Sequence, residues 1–278
     1  MSDDNGRVGP TMTNQVERRR WNDPTWSAMW PRRERMTTEV TRYLLDHLAP
    51  AKGERVLEIG SGGGTASFAI AERLGHGSVT GADISGPLCE LARRRAAERG
   101  IANASFVVAD AQNDELPGGP FHAAASQFGV MFFEDPVSAF ANIRSHVVPG
   151  GRLVFVCWCD PGRNPWLMAP TLAAFAPAPP SPPTGRPTGP FSLADAAGTA
   201  ELLESAGWSE VSHKPYEVVV AVERGTIVDD EMFEAVGIGP ERVEEARAAV
   251  EARMRPLARA DGRYDAPLAF QVFSATAA

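Results

Sequence analysis

The sequence predicts an α/β protein: a parallel sheet with helices on both faces. Three observations carry this. Between Pro50 and Trp158, apolar runs of strand length alternate with longer runs of helical period. The boundaries between them are marked by Gly, Pro, Asp and Ser. The first run, Val56-Leu57-Glu58-Ile59, opens into Gly60-Ser61-Gly62-Gly63-Gly64, a glycine-rich turn that feeds a helix.

Met1–Thr13 is polar and aperiodic and reads as a loose tail. Residues 14–50 read as a helical cap. There Trp21, Trp26 and Trp30 cluster among Arg18, Arg19, Arg20, Arg32 and Arg33, and the helical pattern runs from Arg33 to Leu48. Met36, Val40, Tyr43, Leu44 and His47 share its stripe, which makes His47 a core histidine. Strands are expected at Arg55–Ile59, Ser78–Ile84, Ser105–Asp110, His122–Phe128 and Arg152–Trp158. Between them lie helices at Gly64–Leu74 and Pro87–Arg99, and a third capped by Asp135 with Pro136 in its first turn. Val137, Phe140, Ala141 and Val147 of that third helix are expected to face inward.

The remaining domain, residues 51–278, carries two insertions, at about 160–194 and 225–262. Pro161–Pro190 holds ten of the 23 prolines, a composition that suits a cover over a site or a disordered loop. Asp195–Ala206 reads as a helix and Val211–Val222 as a strand. Asp229–Gly237 and Glu241–Leu257 read as helices, and Tyr264–Ala275 as a final strand.

With 278 residues, 44% hydrophobic and 22% charged, the chain is long and apolar enough to bury a full core. Its net charge of −8, with only Lys52 and Lys214 as lysines, argues against a nucleic-acid partner. Cys89, Cys157 and Cys159 give no disulfide framework and suit a reducing, cytoplasmic setting. The first fifteen residues lack an apolar core of the secretory type. The uncharged stretch Leu116–Phe133 is broken by Pro117, Gly118, Gly119 and Pro120, so it reads as a turn and a buried strand, and no membrane span is expected.

The glycine turn alone fits a dinucleotide enzyme as well as other nucleoside binders. Thr65 stands where the third glycine of G-x-G-x-x-G would fall. Glu58, two residues before Gly60, would repel a pyrophosphate but attract the cationic head of S-adenosylmethionine. No Lys follows the turn, which excludes a P-loop. Asp83 ends the second strand, where a carboxylate accepts from a ribose diol. Asp110 ends the third, where one accepts from an adenine amino group. Either acid alone also fits a helix cap. Together with Glu58 they fit one ligand lying across the strand ends.

The chain resembles the class I S-adenosylmethionine-dependent methyltransferases, in their small-molecule, UbiE-like branch. The resemblance rests on Val56–Gly64, Gly81-Ala82-Asp83-Ile84-Ser85, Val107–Ala111, Ser126–Gly129, Phe140–Ile143 and Pro149–Leu153. It implies a Rossmann-like, mostly parallel sheet of seven strands, the last antiparallel. It also implies S-adenosylmethionine as cofactor. Glu58, Gly60, Gly62 and Gly64 would line the methionine and ribose side. Asp83 would hold the ribose, with Ile84 against the adenine. Asp110 and Ala111 would read the adenine edge, and Ser126 and Gln127 would lie by the reacting methyl. The Trp-rich segment is similar to the cap of small-molecule members, with Trp30 nearest the cofactor.

The text Ser126-Gln127-Phe128-Gly129 replaces the Asn/Asp-Pro-Pro-aromatic motif of nucleic-acid amino-methyltransferases. The implied acceptor is therefore a small molecule, and the aromatic residues of both covers suit one with apolar or aromatic surface. Trp26, Trp158, Asp160 and Trp166 are the candidate acceptor contacts. No histidine is marked as a general base, so the catalytic residue stays open. Cys157 and Cys159 are too few for a zinc site, and no metal is expected. Two other readings stand beside this one: an NAD(P)-dependent oxidoreductase, and an accessory protein that binds the cofactor without turnover. The oligomeric state is open, since the insertions suit a homodimer interface as well as a lid.

Overall fold

The computed structural model of the chain describes residues 14–176, 188–228 and 230–278. The expected tail, the middle of the proline-rich insertion and Asp229 lie outside these. In chain order the elements are α1 (Gln15–Asn22), α2 (Pro24–Leu48), β1 (Arg55–Ile59), α3 (Thr65–Leu74), β2 (Ser78–Asp83), α4 (Gly86–Glu98), β3 (Ala104–Val108) and β4 (Phe121–Gln127). There follow α5 (Pro136–Ser145), β5 (Val147–Trp158), α6 (Ala169–Leu172), α7 (Ala196–Ser205), β6 (Trp208–Val222), α8 (Arg224–Ile227), α9 (Asp230–Ala235), α10 (Val243–Met254) and β7 (Tyr264–Ala277).

The seven strands form one sheet in the order β3-β2-β1-β4-β5-β7-β6. β1 to β5 pair in parallel, and β7 runs antiparallel to both β5 and β6. The sheet order reverses between β1 and β4, which places a crevice at the carboxyl ends of those strands. Helix α2 touches both α3 and α4 beside the sheet, and α5 touches α7. Local chemistry sets their ends. Ser85 caps α4, Asp135 caps α5 and Asp195 caps α7, each accepting from a backbone N–H of the first turn.

Two expectations are corrected. The cap is helical from Gln15, and α2 runs from Pro24 through Pro31, rather than starting at Arg33. A mid-helix proline removes one backbone bond. Here the buried side chains of Trp26, Met29 and Met36 on the flanking turns hold the helix together. Val147 belongs to β5 and not to the preceding helix. It pairs with Phe121, and the Pro149-Gly150-Gly151 step is absorbed as an irregularity before Arg152 rejoins the ladder opposite Ala123.

Candidate active site

The glycine turn after β1 is bent by left-handed backbone at Gly60, Gly62 and Gly64, with φ of 67°, 53° and 88°. The glycines face different neighbours. A methyl group on Gly60 would lie 2.6 Å from Cα of Gly129, and one on Gly64 would lie 2.7 Å from the Phe68 ring. These two are packing glycines. Gly62 and Gly63 face the crevice, where the Trp30 indole sits: methyl groups there would fall 2.4 Å and 2.9 Å from ring atoms. Gly63, not singled out from the sequence, therefore lies under the Trp30 ring together with Gly62.

The three acids lie at the strand ends as the sequence predicts. Glu58 is fully buried beside the Ser67 hydroxyl, which donates to its Oε2. Burial pushes this carboxyl up to about 8, and the nearby Asp83 adds to the rise. In this packing Glu58 is mostly protonated at neutral pH, not the standing anion the sequence suggests. Asp83 Oδ2 accepts from Gly62 N and Oδ1 from Ser85 N, both at 2.8 Å. Its carboxyl is also raised by burial. Asp110 lies two residues past the end of β3, and accepts from the Asn14 side-chain amide at Oδ1 (2.8 Å) and Oδ2 (3.0 Å).

Asn14 has no sequence signal pointing to it, since its partner lies 96 residues away. Its carbonyl Oδ1 accepts from Glu134 N at 2.8 Å. From there α1 runs across the ends of β3 and β2. The Trp21 carbonyl accepts from the Ser85 hydroxyl, and Asn22 bonds Ile84 O and Gly86 N. The start of α2 then lays Trp30 over the turn after β1. Glu34 accepts from Thr65 Oγ1 and, at 2.7 Å, from Arg95, whose Nη1 also donates to Gly63 O. Thr65 is thus a tie to the cap. Ala111 is buried, and its carbonyl accepts from Asn142.

Beyond the turn, Ser126 is fully buried. Its hydroxyl donates to Ile59 O and accepts from Gly129 N, which joins the two loops. Gln127 donates to Thr37 O of the cap. Phe128 stacks on Trp158 with centroids 3.8 Å apart, and Trp166 meets Trp158 edge-on at 5.2 Å. Trp26 belongs to a separate cluster with Trp21, under the Arg33 guanidinium. Asp160 is exposed and accepts from Gly162 N in a short turn. The structure thus joins Trp158 to Trp166 and brings neither Trp26 nor Asp160 into that stack. His47 bonds the Tyr216 hydroxyl at 2.8 Å, and His122 and His146 accept backbone N–H groups.

Side chains of this protein lie across these strand ends: Asp110 accepts from the NH2 group of Asn14, and the Trp30 ring lies against Gly62 and Gly63. Among the described residues, Trp30 Nε1, Thr41 Oγ1, Ser61 Oγ and Gln127 Oε1 are buried without a hydrogen-bond partner. These belong to α2, the glycine turn and the end of β4, the elements that wall the crevice. No described helix is long and apolar enough to cross a membrane.

Residues 56–151 match the family model described as a methyltransferase domain. The chain is 40% identical over 119 residues to the aklanonic acid methyltransferase DauC of Streptomyces sp. (strain C5), covering 42% of this chain and 54% of that one. It is 36% identical over 111 residues to the demethylmenaquinone methyltransferase of Thermus thermophilus, covering 40% and 50%. It is 29% identical over 182 residues to the nocamycin O-methyltransferase of Saccharothrix syringae, covering 62% and 65%. The matches therefore span about half to two thirds of these curated relatives. Among solved structures, the YcgJ protein of Bacillus subtilis superposes with a TM-score of 0.58 at 14% identity, covering 85% of this chain and 97% of that one. The [4+2]-cyclase SpnF superposes at 0.61 and 18%, covering 95% and 96%. At such identities the likeness shows the shared fold. Motif, fold and sequence relatives converge: residues 56–151 form a methyltransferase domain, and the chain is similar to small-molecule methyltransferases that use S-adenosylmethionine.

Proposed function

We propose that this protein transfers the methyl group of S-adenosylmethionine to a small molecule with an apolar or aromatic surface. The observation that carries the reading is the pair of buried acids, Asp83 and Asp110, at the ends of adjacent strands, flanked by a turn whose Gly62 and Gly63 lie against the Trp30 ring. Bound there, the cofactor supplies an already activated methyl on a sulfonium. The chain's own part is then alignment and exclusion of water. Asp83 would fix the ribose, Asp110 and Ala111 the adenine edge, and Glu58 would face the positive end. Gln127, at the end of β4, and the Phe128–Trp158–Trp166 stack, at the ends of β4 and β5, would border the acceptor. A flat aromatic wall suits an acceptor with a flat apolar face. The curated relatives named for aklanonic acid and demethylmenaquinone support the same class.

The test is calorimetric titration with S-adenosylhomocysteine, followed by an acceptor screen with methyl-labelled cofactor. Asp83→Asn is expected to weaken binding by about 10- to 100-fold, as for loss of a charged hydrogen-bond partner. Unchanged affinity in the folded variant would remove Asp83 from the site. Label transferred to small polar acceptors, and to no aromatic one, would overturn the acceptor class.

A further inference from the structure

We infer that the N-terminal cap is an internal plug: Asn14 and Trp30 hold the places of the cofactor's adenine edge and its neighbouring ring, and the cofactor binds by displacing them. The inference rests on the proposed reading of Asp83 and Asp110.

The mimicry is chemical. An adenine edge presents an N–H donor beside a nitrogen acceptor. A carboxamide presents the same pair. Asn14 spends its donor on both Asp110 oxygens and on Gln112 Oε1 at 3.2 Å, and its acceptor on Glu134 N. The residue is 2% exposed, so the seat is enclosed. Its backbone is left-handed, at φ 53°, a conformation Asn tolerates better than most residues. The path is also the ligand's path. From Asn14 to Trp30 the cap crosses the ends of β3, β2 and β1 in order, bonding Ile84, Ser85 and Gly86 on the way. Over the turn, Trp30 comes within 2.4 Å of a methyl group placed on Gly62, so the indole and a ligand cannot share that face.

The plug is held by a small latch and fits imperfectly. Glu34 joins α2 to Thr65 and Arg95 at the base of the turn. Trp30 Nε1 is buried with no acceptor, an unfavourable contact that leaving the crevice would relieve. For such a closed state, the apparent dissociation constant is the intrinsic one divided by the open fraction. Weakening the plug therefore tightens ligand binding, opposite to the effect of damaging the site.

The experiment compares wild type, Asn14→Ala, Glu34→Ala and Asp83→Asn, each titrated with S-adenosylhomocysteine by calorimetry. Hydrogen exchange of the backbone at Gln15–Asn22 is followed in the wild type with and without that ligand. The plug predicts that Asn14→Ala and Glu34→Ala each bind about tenfold tighter, and that ligand speeds exchange in α1. Equal or weaker binding by both cap variants, or slower exchange in α1 with ligand, would overturn the plug and make the cap a cover that closes on the cofactor. Weaker binding by Asp83→Asn in that case leaves the site assignment standing. Absence of binding by every protein, wild type included, overturns the site reading and the plug together.

Discussion

Replacing Glu58 by Gln should raise the stability of the protein, and do so more as the pH rises. Glu58 is 1% exposed, and burial holds its carboxyl near 8 against an ordinary value of 4.5. Below about pH 4.5 folded and unfolded chains both carry the proton, and the group contributes no pH dependence. Between there and about pH 8 the unfolded chain loses the proton while the folded chain keeps it, so stability falls with rising pH. At about 1.4 kcal/mol per pH unit, the whole interval amounts to about 5 kcal/mol. The substituted carboxamide cannot ionise, keeps an oxygen for the Ser67 hydroxyl, and has no such slope. The assay is urea unfolding of both proteins at intervals from about pH 5 to pH 9. The wild type is expected to lose ground by about 1.4 kcal/mol per unit up to pH 8, then run parallel to the variant. Parallel profiles across the whole range would show that Glu58 ionises as readily folded as unfolded, and would refute its burial as a neutral acid.

The same acid should respond to the cofactor. A sulfonium beside Glu58 favours the charged form, so S-adenosylmethionine binding near pH 7 should release up to about one proton, and more than S-adenosylhomocysteine does. Calorimetry in buffers of different ionisation enthalpy reads this, and equal release by both ligands would separate Glu58 from the sulfonium. Gly62→Ala should cost about 1–3 kcal/mol in thermal unfolding, because the backbone is left-handed there and the new methyl meets Trp30 at 2.4 Å; an unchanged midpoint would contradict that contact. Arg152→Ala should cost about 1–3 kcal/mol near pH 7, since the side chain bonds both Glu54 oxygens and the Leu48 carbonyl at the end of α2. Arg152 holds the Glu54 carboxyl below its ordinary value. Its charged contribution is present above the unfolded value and lost as the pH falls through the folded one, so the difference between the two proteins should shrink in acid.

The sheet was legible because its signals are local. Apolar runs, glycine turns and capping residues place β1, α3, β2, α4 and the later strands within a few residues of their observed ends. Asp83 and Asp110 were legible for the same reason, as acids at strand ends. What stayed hidden depends on contacts between distant segments. Pro31 marks a break by local rules, yet buried neighbours carry α2 through it. Ser126 looks like a ligand-facing hydroxyl until the Ile59 carbonyl is seen beside it. Four successive residues after β1, Gly60-Ser61-Gly62-Gly63, read alike as a flexible turn. Only the packing separates the glycines that admit another loop from those that face the crevice. The seating of Asn14 on Asp110 has no local signature at all.

The place of β7 between β5 and β6 sets the order of events during synthesis. β6 leaves the ribosome before the strand that must separate it from β5, so for a time it has no sheet edge to join. Its valines, Val218, Val219 and Val220, wait on an unpaired strand, a state open to wrong partners. Once β7 is made, it completes the sheet and brings in the helices threaded between the two strands. Among them is α9, whose Glu231 and Met232 meet Arg32 and Arg33 of α2. Helix α2, made before α9, thus receives this contact only after α9 is made.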